Sequence, residues 1–531
     1  MRKIYINGIF YTFDKIHPIV ESVVIQHGRF IDMGTTDDML LHWKNPNCEV
    51  INLQGKAVTP GLTDSHLHLS MVADNFLNLG LTGITSKEDM LEMIQKRAKQ
   101  LEPGEWLLGS GWDENLFTKG AIPTISELDY VAPSNPLFLS RICQHAAVVN
   151  SKALEISNYH PSITVPEGGT IVLDEVTKQP TGLLLESARD LIKKHIPENT
   201  YPVLKDAMRK AIQFAVKKGI TSVHTNDPHY LGGLQQTYRI YDELLNGEKL
   251  GLRTNLLIDY DFLDDLRDAG MYTGYGNSTL QIGAVKLFAD GAFGRRTALL
   301  SGEYSDEAGN YGEAMFDNNA LYSIVKRARD LNMPVAVHTI GDQALENVLE
   351  VLDQFPSVSY RDRLIHTQVL REDLIKRLAH PSRIADIQPR FLASDFPWVQ
   401  ERLGEERIIL SYAWKSMQKA GVICAGGSDA PVEPVDPLLG IHAAVTRKIP
   451  GEDHIGFNPI EKLSMHEAFR LFTELGAYPT NEEKLKGTIS RGKLADMTVY
   501  SQNPFNMKDA DELLNTQIVM SIIGGDIKYQ G

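Results

Sequence analysis

Two histidines separated by one residue, His66 and His68 in TPGLTDSHLHLS, form the strongest chemical signal in the sequence. They follow an apolar stretch ending in Pro60-Gly61. In an extended segment residues i and i+2 face the same side, so both imidazoles can address one cation. A neutral imidazole carries a lone pair suited to zinc and similar ions. Alone, such a pair is more often two histidines satisfied by hydrogen bonds at a turn. It is not alone: His338 closes PVAVH, His366 closes RLIH, and Asp429 follows GVICAGGSD. Each stands at the C-terminal end of an apolar run, the end at which α/β barrels carry their chemistry. Together they predict a metal site. Lys286, in IGAVKLFADGA, ends another such run. An ammonium has no lone pair with which to ligate, but the amine can add CO₂ to give a carbamate, whose two oxygens can bridge two cations. The alternatives are a lysine paired with Asp290 or turned to solvent. Like charges 4 Å apart cost about 4 kcal/mol at an effective dielectric of 20, so a lysine facing cations is chemically reasonable mainly as the carbamate.

The elements that must hold these residues can be counted. Apolar, β-branched runs occur at 57–63, 220–224, 253–258, 282–288, 334–338, 363–366, 384–388 and 421–426. Amphipathic helical patterns precede several of them. In VLKDAMRKAIQFAVKKG, residues Leu204, Ala207, Met208, Ala211, Ile212 and Ala215 fall on one stripe, with Gly219 as the stop. LYSIVKRARDLNMP repeats the arrangement. Eight strands joined largely by helices predict an α/β fold, a (β/α)₈ TIM-like barrel over 58–486. Residues 1–57 and 487–531 read as short strands and Gly-rich turns, too few at either end to bury a sheet, so the two ends are expected to pair into a small composite β-sandwich. Residues 69–200, between the first two barrel strands, are too long for a loop. They are expected to form an inserted subdomain over the barrel mouth.

Composition narrows the partners. The 531 residues carry 53 Lys+Arg against 68 Asp+Glu, a net charge of −15, which disfavours nucleic acid or an anionic membrane as the main partner. No apolar run reaches the ~18–20 residues of a membrane span, and polar residues interrupt the N-terminal apolar stretch. Three scattered cysteines, Cys48, Cys143 and Cys424, fit a reducing compartment. The expectation is a cytoplasmic protein acting on a small molecule, with a homodimer left open.

The ordered set YINGIFYTFD, PGLTDSHLH, GWDE, VKLFADGA, VHTIGD, LIHTQ, GSDAPV and GTISRGKLADMTVY resembles the amidohydrolase superfamily, in its third family and YtcJ-like group, over almost the whole chain. The resemblance implies a hydrolase requiring a divalent metal, with zinc expected as one or two ions. His66 and His68 would serve one metal and His338 and His366 the other. Asp429 would ligate the first and act as base, taking a proton from the attacking water and passing it to the leaving nitrogen. Lys286 matches the bridging-lysine position. Similarity to N-substituted formamide deformylases suggests a small N-acyl or N-formyl compound.

For the substrate pocket the candidates are Trp112, Asp113, His145, Arg295 and Arg296. Ile142-Cys143-Gln144 stand where the family has Asp and Gly before the histidine, which leaves the role of His145 open; Cys143 is expected to pack. A deaminase of this superfamily would carry a glutamate three residues after the fifth-strand histidine, a position held here by Gly341. Ester, lactone or phosphoester hydrolysis stays open as an alternative, and a non-catalytic scaffold is disfavoured because every ligand position is filled.

Overall fold

The computed structural model describes residues 2–117, 121–143 and 145–531. The chain divides into two compact units: residues up to Met71 with Ala211–Gly531, and Val72–Lys210.

The first unit is built on an eight-stranded sheet whose strands run in chain order: β1 (Leu62–Leu67), β2 (Ile220–Asn226), β3 (Arg253–Asp259), β4 (Leu280–Phe288), β5 (Val335–Thr339), β6 (Asp362–His366), β7 (Arg383–Ile387) and β8 (Cys424–Gly426). Every neighbouring pair is parallel. The edge strands curl together into a nearly closed barrel, because Asp429 N donates to the His66 carbonyl at 2.7 Å and Ser428 N to Asp64 Oδ1 at 2.9 Å. Gly427 permits this approach, since a Cβ there would lie 2.6 Å from His66 N. Helices supply the crossovers. The part of helix Tyr201–Lys217 that belongs to this unit buries Ala211, Ile212 and Ala215, and Asn318–Asp330 buries Leu321, Ile324, Val325 and Ala328. Both stripes follow the 3.6-residue period. The expected barrel is therefore the observed one.

One boundary differs from expectation. The run 57–63 is two strands, not one. Ala57–Pro60 pairs with Met497–Tyr500 in a sheet of the chain ends, and only after Gly61 does β1 begin. Pro60 cannot donate to a ladder, and Gly61 N donates to Asp496 O at 2.9 Å, so the chain changes sheets at the Pro-Gly pair. The sheet of Ala57–Pro60 also takes Ile9–Tyr11, Ile19–Val20, Ile518–Ile523 and Asp526–Gln530. A second sheet holds Arg2–Ile6, Ser22–Gln26, Arg29–Gly34 and Cys48–Asn52. Tyr5, Phe10, Val23, Phe30, Val58, Met497 and Val499 share one core, drawn from both ends of the chain.

The second unit is a six-stranded sheet in the order Thr170–Leu173, Pro180–Leu185, Ala146–Val149, Leu137–Arg141, Leu107–Trp112 and Leu79–Gly80. Helix Lys87–Ala98, capped by the Ser86 side chain, covers it with Met90 and Ile94. No helix among the described residues is long and apolar enough to cross a membrane.

Candidate metal centre

Strand alternation aims part of the site. Leu257, Ala284, Ala336 and Ile365 pack together from β3, β4, β5 and β6 with no helix residue among them, which marks the face turned away from the helices. Two residues beyond Ala284 and Ala336, on that same face, are Lys286 and His338. His366 follows Ile365 directly and by alternation would point the opposite way. Instead, its backbone takes φ +75° and Thr367 φ +45°. Left-handed conformations are uncommon in non-glycine residues, doubly so in β-branched threonine, and they cluster at functional sites. Here the kink returns His366 to the ligand cluster, and Thr367 N holds it by donating to Thr339 O at 2.9 Å. Asp429, at φ +57°, follows β8 by three residues.

His66, His366 and Asp429 are buried with ligand atoms within 4.8 Å of one another. Asp429 Oδ1 lies 3.3 Å from His68 Nε2 and 3.4 Å from His66 Nε2. Lys286 Nζ is 3.5 Å from His66 Nε2, fully buried, and also rests over the Phe288 ring. The rings of His338 and His366 are 4.5 Å apart between centroids. His66, His68, Lys286, His366 and Asp429 thus adjoin one another, and His338 joins them through the ring of His366 while its Nε2 lies 3.1 Å from the Gly291 carbonyl. Lys286 turns neither to Asp290 nor to solvent. Asp290 accepts instead from Leu299, Ile340 and Gly341 N–H groups, tying down the segment after β5.

The electrostatics suit cation binding. Burial holds His66 and His338 well below the usual imidazole range and pulls His366 down to about 4, so all three are neutral and able to ligate. Burial also lowers His68, but the adjacent Asp429 outweighs it and leaves the ring above its usual value. Burial raises Asp429, yet His68 and the other basic groups around it bring it below the carboxylate range. The Lys286 amine is pushed down to about 8 by burial, against the pull of Asp429 and Asp259. Asp429 Oδ1 is a buried acceptor with no donor, the condition a bound cation relieves. Imidazole nitrogens and a carboxylate oxygen are the donors zinc takes.

Supporting residues escaped the sequence reading. Gln388 Oε1 accepts from His366 Nδ1 at 2.7 Å, and the Asn226 carbonyl accepts from His68 Nδ1 at 3.1 Å. Such partners fix a ligand's tautomer and orientation. Asp64, two residues before His66, is buried and pushed up to about 7 by that burial. Only Asp64 had a visible signal, its place beside the HxH pair; Gln388 and Asn226 look like ordinary strand-end polar residues.

The expected substrate residues are not gathered in this way. Trp112 is fully buried in the core of the inserted unit with Met90, Leu107 and Leu139, and its indole N–H donates to Leu139 O at 2.9 Å. It belongs to that unit's core and also borders the cavity that His145 lines. Asp113 pairs with Arg141 at 2.9 Å and caps a short 3₁₀ turn. His145 is exposed and paired with Glu186 at 2.9 Å. Cys143, expected to pack, is exposed instead. It lines a cavity of about 340 Å³ within the inserted unit together with Glu114, Arg141, His145, Thr170 and Glu186. Gln144 lies outside the described residues. Arg295 is exposed, while Arg296 is committed to Asp306 at 2.6 Å and so is not free to clamp a carboxylate.

Comparison with known proteins agrees with this architecture. The chain matches the amidohydrolase family over residues 49–529. It belongs to that family of hydrolases. The putative amidohydrolase YtcJ of Bacillus subtilis (strain 168) is 39% identical over 532 residues, covering 100% of both chains. The N-substituted formamide deformylase of Arthrobacter pascens is 24% identical, over 99% of this chain and 98% of its own. Among solved structures, an uncharacterized metal-dependent hydrolase from Pyrococcus furiosus superposes with a TM-score of 0.76 at 29% identity, over 95% of this chain and 100% of that one.

Proposed function

We propose that this protein is a metal-dependent amidohydrolase that cleaves the C–N bond of a small N-acyl or N-formyl compound. The observation that carries the reading is the convergence of buried His66, Lys286, His366 and Asp429 with partly buried His68 and His338 at one end of the barrel. His66, His68 and Asp429 would hold one divalent cation, and His338 and His366 a second, with Lys286 bridging as a carbamate. Bound cations polarise a carbonyl and make water a better nucleophile near neutral pH. Asp429, ionised and bordered by His68, accepts the proton of the attacking water and returns it to the leaving nitrogen, which departs poorly unless protonated. The neutral state of His66, His338 and His366 leaves their lone pairs for ligation. The Lys286 amine at about 8 is unprotonated often enough to take up CO₂.

Two features favour C–N hydrolysis over deamination. The formamide deformylase is similar along nearly its entire length. Gly341, in the position of a deaminase glutamate, has no room for a side chain, since a Cβ there would collide with the Leu299 backbone. The test is a panel of N-formyl and N-acyl amines, acyl amino acids, lactones, phosphoesters and aminopurines, assayed with defined divalent metals. An N-acyl or N-formyl compound should turn over, and Asp429→Asn should slow it by about 10²–10⁴-fold. Turnover confined to lactones, phosphoesters or aminopurines overturns the bond assignment. Full activity after exhaustive chelation overturns the metal.

A further inference from the structure

The barrel holds a second buried polar group that the proposed hydrolysis does not use. Arg363, three residues before His366 on β6, is 1% exposed, and its Nε donates to Asp386 Oδ2 on β7 at 2.6 Å. Its Nη2 donates to the carbonyl of Ser65, the residue immediately before His66 on β1. Asp386 is itself fully buried. In the parallel register Arg363 pairs with Ala336 on β5, which pairs in turn with Lys286 on β4, so the guanidinium starts from the same level of the barrel as the proposed bridging lysine.

β1 and β6 are not neighbours in the sheet; β7 and β8 stand between them on the shorter way round. No backbone ladder therefore pairs the strands of His66 and His366 directly; the backbone path between them runs through β7, β8 and the bond from Asp429 N to the His66 carbonyl. Yet these two imidazoles, with Asp429, bring their ligand atoms within 4.8 Å of one another. Arg363 spans that gap directly, anchored on the strand of one histidine and bonded to the peptide of the other. A guanidinium suits this task because its donors lie in a rigid planar fork, which lysine lacks. Asp386 holds the Nε edge of the fork and offsets its charge, while Arg363 Nη1 and Asp386 Oδ1 have no hydrogen-bond partner. A buried ion pair returns little net stability, because desolvation offsets the attraction; its retention here is accounted for by geometry.

We propose that Arg363, oriented by Asp386, is a positioning residue that sets the spacing of His66 and His366 and so the affinity of the site for its cation. The proposal rests on the metal-dependent reading above. It is tested on full-length protein by measuring two quantities: the thermal midpoint of the metal-free form, and the zinc dissociation constant by competition with a chromophoric chelator. Arg363→Lys retains the charge and loses the fork. The double variant Arg363→Met/Asp386→Leu replaces the pair with apolar side chains of similar volume, a change buried pairs often tolerate. Both variants are expected to keep a metal-free midpoint close to that of the parent while binding zinc about 10–100-fold more weakly, the range seen when residues supporting metal ligands are removed. Folded variants that bind zinc as tightly as the parent overturn the proposal. Loss of the fold in both also overturns it, since the pair would then serve the core itself. A parent protein that binds no zinc or other divalent metal instead refutes the functional reading, a distinguishable result.

Discussion

Lys286 is the residue whose state most changes the chemistry of the site. It is fully buried, 3.5 Å from His66, and its amine is lowered to about 8. As an ammonium it would repel the cations its neighbours are suited to hold; as a carbamate it would ligate them. Lys286→Ala should therefore lose most activity and close to one equivalent of metal by elemental analysis, with partial recovery when short-chain carboxylic acids stand in for the missing carbamate. Full activity in the untreated variant would remove Lys286 from the site. Trp112 bears a different expectation. Because it is buried in the inserted unit and hydrogen-bonded to Leu139, Trp112→Ala should cost about 3–5 kcal/mol in that unit's stability. Denaturant titration followed by near-ultraviolet dichroism would read this, and a change in substrate preference without loss of stability would contradict it.

At the scale of elements, burial of polar groups is not confined to the strands of the barrel. The helix Phe391–Arg407 shows a cost of this arrangement. Its Asp395 accepts hydrogen bonds from Tyr412 Oη at 2.6 Å and Gln368 Nε2 at 3.0 Å. Burial nevertheless outweighs those bonds and pushes its carboxyl up to about 6. A folded-state value above the unfolded one means that the native protein binds the proton more tightly. Stability therefore declines as pH rises from about 4 to 6, and the penalty is complete above that window. Asp395→Asn should relieve on the order of 2 kcal/mol at pH 8 and almost nothing at pH 4. Paired thermal melts at the two pH values would check the sign. A variant advantage that grows toward low pH would contradict it.

For the whole molecule, the proposed cations tie together strands from all around the barrel: β1, β4, β5, β6 and the segment after β8. A ligand that binds only the folded state stabilises it by about 2.7 kcal/mol when present at a hundredfold excess over its dissociation constant. Chelation should lower the thermal midpoint of the barrel unit, and zinc should restore it in a concentration-dependent manner. Calorimetry that shows no dependence on metal would remove the cation from its structural role. The −15 net charge also predicts weak retention on anionic vesicles or DNA at physiological salt, a simple binding control.

The sequence by itself determined the class of fold and singled out the residues proposed as ligands, because both are written locally. Strand alternation and helical stripes are short-range patterns, and HLH, VH, LIH and GSD each sit where an apolar run stops. It also read Lys286 by position, although not which of three partners the amine would face. The tertiary structure decided what depends on contacts between distant segments. It showed that the run 57–63 splits between two sheets at Pro60-Gly61, that the kink at His366 and Thr367 returns an imidazole that alternation would send outward, and that Trp112 belongs to a core. Arg363, Asp386, Gln388 and Asn226 gave no local signal, since a buried polar residue on a strand is distinguished only by what stands across the barrel from it. Residue types and spacing specify what a side chain can do; the folded chain specifies its neighbours.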